Sequence, residues 1–404
     1  MQKNKSKHCE YISAEKKSSK MECDFLTAKS AEKVYDFVST SDDYSCTPLV
    51  ALDSLADRYG VKKIYVKDES KRMGLNAFKG VGVFYGVARI ICEKLGLDIS
   101  ETSFSDFMKP EINEKLRKLT FIAATDGNHG NGLAYVTKMI GCKCVIYMPK
   151  NTTKPRVDLI REKGAEVFVT EYNYDDTLRL VIDKAAESGW VHFQDQAWEG
   201  YKEITNLISE GYTIIAHECM KQMNEDGVSQ PTHIILQAGA GTFAFGILGY
   251  FVNVLSDSKP QMIISEPKNA NCYYQSAIKK EYINVTGELE TIMAGLAVGE
   301  ANIAAYDYLY NWVDGYASCD DVVSARGMRI LANPIGDDKK VVSGESGALG
   351  FGLLSMICDH EDYSDIKEKC NIDENSIVLL ISTEGNTDPE MYEKIVWNGA
   401  YNII

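Results

Sequence analysis

With 404 residues, 45% of them apolar and 25% charged, the chain reads as an ordinary globular protein long enough for two domains, and collagen-like, disordered and coiled-coil classes are excluded. A formal net charge of −15 and a pI near 5.0 would repel a nucleic-acid backbone or an anionic membrane surface, and no basic, aromatic-interleaved stripe offsets it. Small-molecule partners are favoured over nucleic acid or membrane.

The N-terminal segment carries Lys3, Lys5, Lys7, Lys16, Lys17 and Lys20 with no apolar run behind them, so it reads as a solvated tail and not as a secretory signal. Short β-rich runs then alternate with helical stretches: 63–66, 121–123, 144–148, 166–169, 233–236, 262–264 and 377–381. Such alternation argues for an α/β protein with mostly parallel sheets flanked by helices. Between the last two runs the pattern reads as helical, as in 349–356. The longest apolar stretch, 233–255, is broken by a Gly-Ala-Gly turn, so it is read as a buried strand, loop and core helix instead of a membrane span. Eleven cysteines, odd in number and without C-x-x-C spacing, fit thiols of a reducing cytoplasm and give a metal site no support.

Three segments carry chemistry. Lys79, in Asn76-Ala77-Phe78-Lys79-Gly80, is flanked by apolar and small residues that would desolvate its ammonium, and a neutral amine attacks an aldehyde. The turn Thr125-Asp126-Gly127-Asn128-His129-Gly130 follows a strand and opens a helix, whose unpaired N–H groups would seat a substrate carboxylate. Asp126 and Asn128 are equally good helix caps whatever the function. The loop Gly239-Ala240-Gly241-Thr242 also joins a strand to a helix and would cradle a phosphate. Read literally, Gly239, Gly241 and Ala244, with Glu266 about twenty residues on, also match a dinucleotide fingerprint, so a nicotinamide enzyme is a competitor.

Taken in order, Lys67-Asp68-Glu69-Ser70, Asn76 to Lys79, the Thr125 turn, the Gly239 loop and Ser382-Thr383-Glu384-Gly385-Asn386 resemble the pyridoxal-phosphate enzymes of fold type II. The closer likeness, over nearly the whole chain after residue 30, is to the diaminopropionate ammonia-lyases. It rests on Asp195-Gln196-Ala197-Trp198-Glu199-Gly200-Tyr201, Ile292-Met293-Ala294-Gly295-Leu296-Ala297, Ser343-Gly344-Glu345-Ser346-Gly347-Ala348 and the run from Thr383 to Pro389. The chain departs from that pattern at Val298, where a cysteine is expected, and in 99–114, which reads as an insertion.

The resemblance implies that Lys79 carries pyridoxal 5'-phosphate as a Schiff base, that Asn128 bonds the phenolic oxygen, and that Gly239, Ala240, Gly241 and Thr242 hold the phosphate. Thr383 would face the pyridine nitrogen, making the ring a weaker electron sink than a carboxylate would. The implied reaction is α,β-elimination of 2,3-diaminopropionate, of both D and L forms, to pyruvate and two ammonia. Its cationic second amine calls for acids, and Asp126 and Asp195 are the two chosen, so the catalytic set is Lys79, Asp126 and Asp195. Thr125, Asp126, Gly127, His129 and Asp195 are the substrate-binding set, with His129 read as orienting the loop, not moving protons. Glu345 is placed near the cofactor ring, and Trp198 and Tyr201 read as core or lid residues. A serine or threonine dehydratase on the same scaffold, or a non-catalytic binding protein, are the alternatives. The expected organisation is a larger domain of 1–85 and 201–404, holding Lys79, the glycine loop and Thr383, and a smaller one of 86–200 carrying the turn, in a cytoplasmic homodimer.

Overall fold

The computed structural model describes residues 7–15, 23–125 and 127–403. They form two compact units: the described residues of Met1–Thr27, Cys46–Lys71 and Ile215–Ile404 make the first, and Ala28–Ser45 with Arg72–Ile214 the second.

The first unit is built on a seven-stranded sheet. Its strands are β1 (Cys9–Ser13), β2 (Leu49–Ala51), β3 (Lys63–Asp68), β8 (His233–Gln237), β9 (Gln261–Pro267), β10 (Gly315–Cys319) and β11 (Ile377–Ser382), in the order β1-β10-β9-β8-β11-β3-β2. The five inner strands are parallel, and only the edges β1 and β2 run antiparallel to their neighbours. Strands such as β8 and β11 are buried at every position, so they appear in sequence as unbroken apolar runs without alternation. The register pairs Leu380 of β11 with Ile235 of β8, so both chains leave the sheet side by side at its carboxyl end. That end is where open parallel sheets place their ligands.

The second unit holds a four-stranded parallel sheet, β6-β5-β4-β7, made of β4 (Thr120–Ala124), β5 (Lys143–Met148), β6 (Glu166–Val169) and β7 (Val191–His192). Glycines let its helices approach closely. A Cβ on Gly132 would lie 3.5 Å from the Gly80 backbone, one on Gly82 would lie 2.4 Å from the Tyr212 ring, and one on Gly211 would lie 2.9 Å from Gly82 Cα. The helices Lys79–Leu95, Asn128–Ile140 and Glu203–Glu225 therefore meet almost backbone to backbone.

Three expectations are corrected here. The divisions at 85/86 and 200/201 move, because the Lys79–Leu95 helix packs at Gly80, Gly82 and Gly86 on other residues of the second unit, and Lys79 goes with the turn. The Ala28–Val38 helix joins it there through Phe37 against Phe84, ring centroids 5.3 Å apart. The second correction is β10, which lies in a stretch read as helical; Gly-Tyr-Ala-Ser-Cys is short and little hydrophobic and becomes a strand because β9 and β1 both pair with it. The tail reading likewise fails for Cys9–Ser13, which is β1. Among the described residues no helix is long and apolar enough to cross a membrane.

Candidate active site

In the second unit the chain turns at the carboxyl ends of β4 and β7, which are neighbours in the sheet. After β4, Thr125 Oγ1 accepts hydrogen bonds from the Gly127 and Gly130 amides at 3.1 and 3.2 Å. Thr125 thus does the capping that the sequence offers to Asn128, which is instead the first residue of its helix. Asp126 lies outside the described residues. His129, the next helical residue, is buried; its ring stacks on Phe193 and its Nε2 lies 2.9 Å from the Phe193 carbonyl oxygen. A carbonyl only accepts, so Nε2 carries the proton.

After β7, Tyr201 holds the segment that leads to Asp195. Its hydroxyl donates to the His192 carbonyl at 2.9 Å and accepts the Gln194 amide at 2.8 Å. Trp198 stacks on the Tyr201 ring with centroids 4.4 Å apart. Gln194 bonds both main-chain groups of Ala124, so the two turns are tied to each other. Burial, and secondarily the charge of His129, pushes the His192 imidazole down to about 4, so it is neutral at ordinary pH.

Lys79 is the first residue of its helix, which follows Asn76 in a left-handed conformation (φ +57°). Its Nζ lies 2.5 Å from Asp195 Oδ2, and His129 Nδ1 lies 3.7 Å from the same oxygen. Burial acts to raise the Asp195 carboxyl, but the charges of His129 and Lys79 outweigh it and hold the carboxyl well below its ordinary range. The second unit therefore gathers Lys79, Thr125, Gly127, Asn128, His129 and Asp195, and the carboxylate among them is ionised.

In the first unit, Gly239, Ala240, Gly241 and Thr242 join β8 to the Thr242–Leu255 helix. Gly241 has φ +97°, and a Cβ on it would fall 2.0 Å from Tyr273 Oη, while one on Gly239 would fall 3.2 Å from Gly295 O. The Ala240 carbonyl receives the Asn302 amide at 2.7 Å and the Tyr273 hydroxyl at 2.9 Å, and Asn302 Nδ2 donates to Thr242 Oγ1 at 2.8 Å. The loop is fixed through its carbonyl side. Among the described residues no protein acceptor takes the Gly239, Ala240 or Gly241 amides. A row of amides at the start of a 14-residue helix suits a phosphate, so the residues present fit pyridoxal phosphate.

Thr383, just beyond β11, is buried, and its Oγ1 accepts Gln237 Nε2 at 2.9 Å. Beside it, Glu384 Oε1 accepts the Ser346 amide at 3.0 Å, and Gly344 and Gly347 approach so closely that Cβ atoms there would lie 2.4 Å from Gly385 O and 2.9 Å from Glu384 O. Glu345 therefore belongs to the segment packed on the Thr383 loop. Glu266 does not behave as a ribose ligand: it is fully buried, and its two oxygens accept the Tyr273 and Tyr274 amides at 2.9 and 2.7 Å. The dinucleotide reading loses its acid. Sequence reasoning missed Gln194, Gln237, Tyr273 and Asn302, whose roles come from partners distant in the chain. Only the placing of Gln237 immediately before the glycine loop was a visible signal.

A family profile described as pyridoxal-phosphate dependent enzyme matches residues 40–382. The diaminopropionate ammonia-lyase of Escherichia coli strain K12 is 48% identical over 360 residues, 89% of each chain. That of Salmonella typhimurium is 45% identical over 377 residues, 93% of each. The solved structure of the Escherichia coli enzyme in complex with an aminoacrylate-PLP azomethine reaction intermediate superposes with a TM-score of 0.90 at 43% identity, over 98% of each chain.

Proposed function

From the premise that the chain belongs to the diaminopropionate ammonia-lyase family of pyridoxal-phosphate dependent enzymes, we propose that it eliminates ammonia from D- and L-2,3-diaminopropionate, giving pyruvate and two ammonia. The observation that carries this reading is the ionised Asp195 carboxylate beside Lys79.

Lys79 is assigned to the cofactor's aldehyde carbon and Asn128 to its phenolic oxygen. The phosphate falls to Gly239, Ala240, Gly241 and Thr242, and the ring nitrogen to Thr383. When bound, the cofactor withdraws electrons from the substrate's α-carbon and makes its proton removable. Lys79, released by the incoming substrate amine, takes that proton from one face, and Asp126 takes it from the other in the opposite enantiomer. Asp195 exchanges its lysine partner for the substrate's second ammonium. An ionised carboxylate keeps that amine protonated, which is the form that leaves. Thr125, Gly127 and His129 shape the turn that seats the substrate carboxylate. The released product hydrolyses to pyruvate and the second ammonia. A homodimer in the cytoplasm is the form we propose, the first on the family likeness and the second on its eleven thiols.

Incubating the holoenzyme separately with D- and L-2,3-diaminopropionate, L-serine and L-threonine, and measuring keto acid and ammonia, tests this. Two ammonia per pyruvate with diaminopropionate far ahead is the expected result; preference for the hydroxyamino acids would make it a dehydratase.

A further inference from the structure

Gln237 is the last residue of β8, is 2% exposed, and stands immediately before the phosphate loop. Its Nε2 lies 3.0 Å from the Ile381 carbonyl oxygen and 2.9 Å from Thr383 Oγ1. A main-chain carbonyl accepts and never donates, so Ile381 fixes which end of the amide is the nitrogen. Its two hydrogens are then spent on Ile381 and Thr383. Turning the amide over would set two carbonyl oxygens against each other. The cost of the observed orientation is visible: Gln237 Oε1 is buried without a hydrogen-bond donor among the described residues, on the side where a Cβ on Gly350 would lie 3.6 Å away. A buried carbonyl left unsatisfied persists where the other end of the group is needed.

The consequence falls on the Thr383 hydroxyl. It has one hydrogen and two lone pairs, and one lone pair is taken by Gln237, so the hydrogen must point elsewhere. Among the described residues no protein acceptor takes it. We propose that Gln237 is a positioning residue that fixes the direction of the Thr383 hydroxyl, so that Thr383 donates to the cofactor's ring nitrogen and that nitrogen stays unprotonated. This rests on the assignment of Thr383 to the ring nitrogen made above. The amide also polarises the hydroxyl it donates to, which strengthens the outgoing bond. Threonine alone is ambivalent, able to accept from a protonated nitrogen as well as donate to a neutral one; by occupying one of its two accepting positions, the glutamine tilts the hydroxyl toward donating.

The test uses holoenzyme loaded with pyridoxal phosphate labelled with nitrogen-15 in the ring, read by NMR, with steady-state kinetics alongside. In the wild type the ring nitrogen should resonate as a neutral, hydrogen-bonded pyridine, and Thr383→Ala should move it toward the unbonded value. Gln237→Leu should move it in the same direction by a smaller amount and lower kcat by about threefold to tenfold, the span of one ordinary hydrogen bond, with KM unchanged within about twofold. Gln237→Met, equally long and without a donor, carries the same test if the leucine form does not fold. A signal that responds to Thr383→Ala but not to either Gln237 variant overturns the inference and leaves the assignment of Thr383 standing. A protonated ring nitrogen in the wild type, or one indifferent to Thr383→Ala, overturns the assignment itself.

Discussion

The carboxylate of Asp195 meets the amine of Lys79 at 2.5 Å although the two are 116 residues apart in the chain. Because Asp195 is held below the ordinary carboxylate range, its folded-state contribution to stability is present above the unfolded value of about 3.9 and is lost as pH falls through the folded value. In the cofactor-free protein, Asp195→Asn should therefore lower the urea midpoint at pH 7, and the gap from the wild type should narrow only below about pH 3.9. A gap that does not narrow below that pH would show that the charges of His129 and Lys79 contribute nothing through this carboxylate.

Activity should separate the two proposed proton acceptors. Asp126→Asn is expected to reduce turnover of D-2,3-diaminopropionate by ~10²–10⁴-fold, the usual worth of a positioned general base, and to touch the L form far less. Parallel rate measurements on the two enantiomers decide it: equal losses would refute the two-base scheme.

Gly241 cannot carry a side chain without moving Tyr273. With φ +97° and a Cβ position 2.0 Å from Tyr273 Oη, Gly241→Ala should destabilise the fold by about 1–3 kcal/mol and weaken cofactor retention. Adding Tyr273→Phe removes the clashing oxygen, so the double variant should recover part of the loss in an unfolding titration. Strict additivity would mean the clash is relieved elsewhere.

Glu266 supplies a pH dependence of opposite sign. Burial pushes its carboxyl up to about 8 even though the Tyr273 and Tyr274 amides favour the ionised form. The native state thus binds a proton that the unfolded chain, titrating near 4.3, has released. Stability should fall as pH rises between those values, by at most about 1.4 kcal/mol per pH unit from this group. Glu266→Gln should flatten that slope in urea titrations from pH 5 to 8; an unchanged slope would place the titration elsewhere.

Every inner strand of the larger sheet except β10 was legible in the sequence because burial on both faces writes it as an unbroken apolar run, and the glycine loop and the Thr125 turn were legible because each stands between such a run and a helix. The edge strand β1 and its inner neighbour β10 were not. Residues 9–13 carry Glu10 and Ser13 among their five positions, and 315–319 are mostly small, so neither shows a period or an apolar run; pairing with one another makes them strands. The site was legible as a set of residue types but not as a set of contacts. Nothing local says that Asp195 faces Lys79, that Thr125 and not Asn128 caps the turn, or that Gln237 reaches Thr383 across 146 positions. Domain boundaries failed for a related reason: the packing that assigns Lys79 to its unit is carried by glycines, which leave no hydrophobic signature.

The antiparallel strand β1 covers the outer side of β10, whose other side belongs to β9. Its hold is more than main-chain pairing: the Tyr363 hydroxyl accepts the His8 amide at 2.9 Å, and Tyr274 Oη donates to Glu10 at 3.1 Å. Whoever prepares this protein therefore has a choice to make about where to cut and where to attach a handle. Trimming the chain back past Ser13 would bare a five-residue row of unmet amides and carbonyls, an adhesive seam that invites a strand from another molecule. A tag is better placed where it does not pull on that bolt.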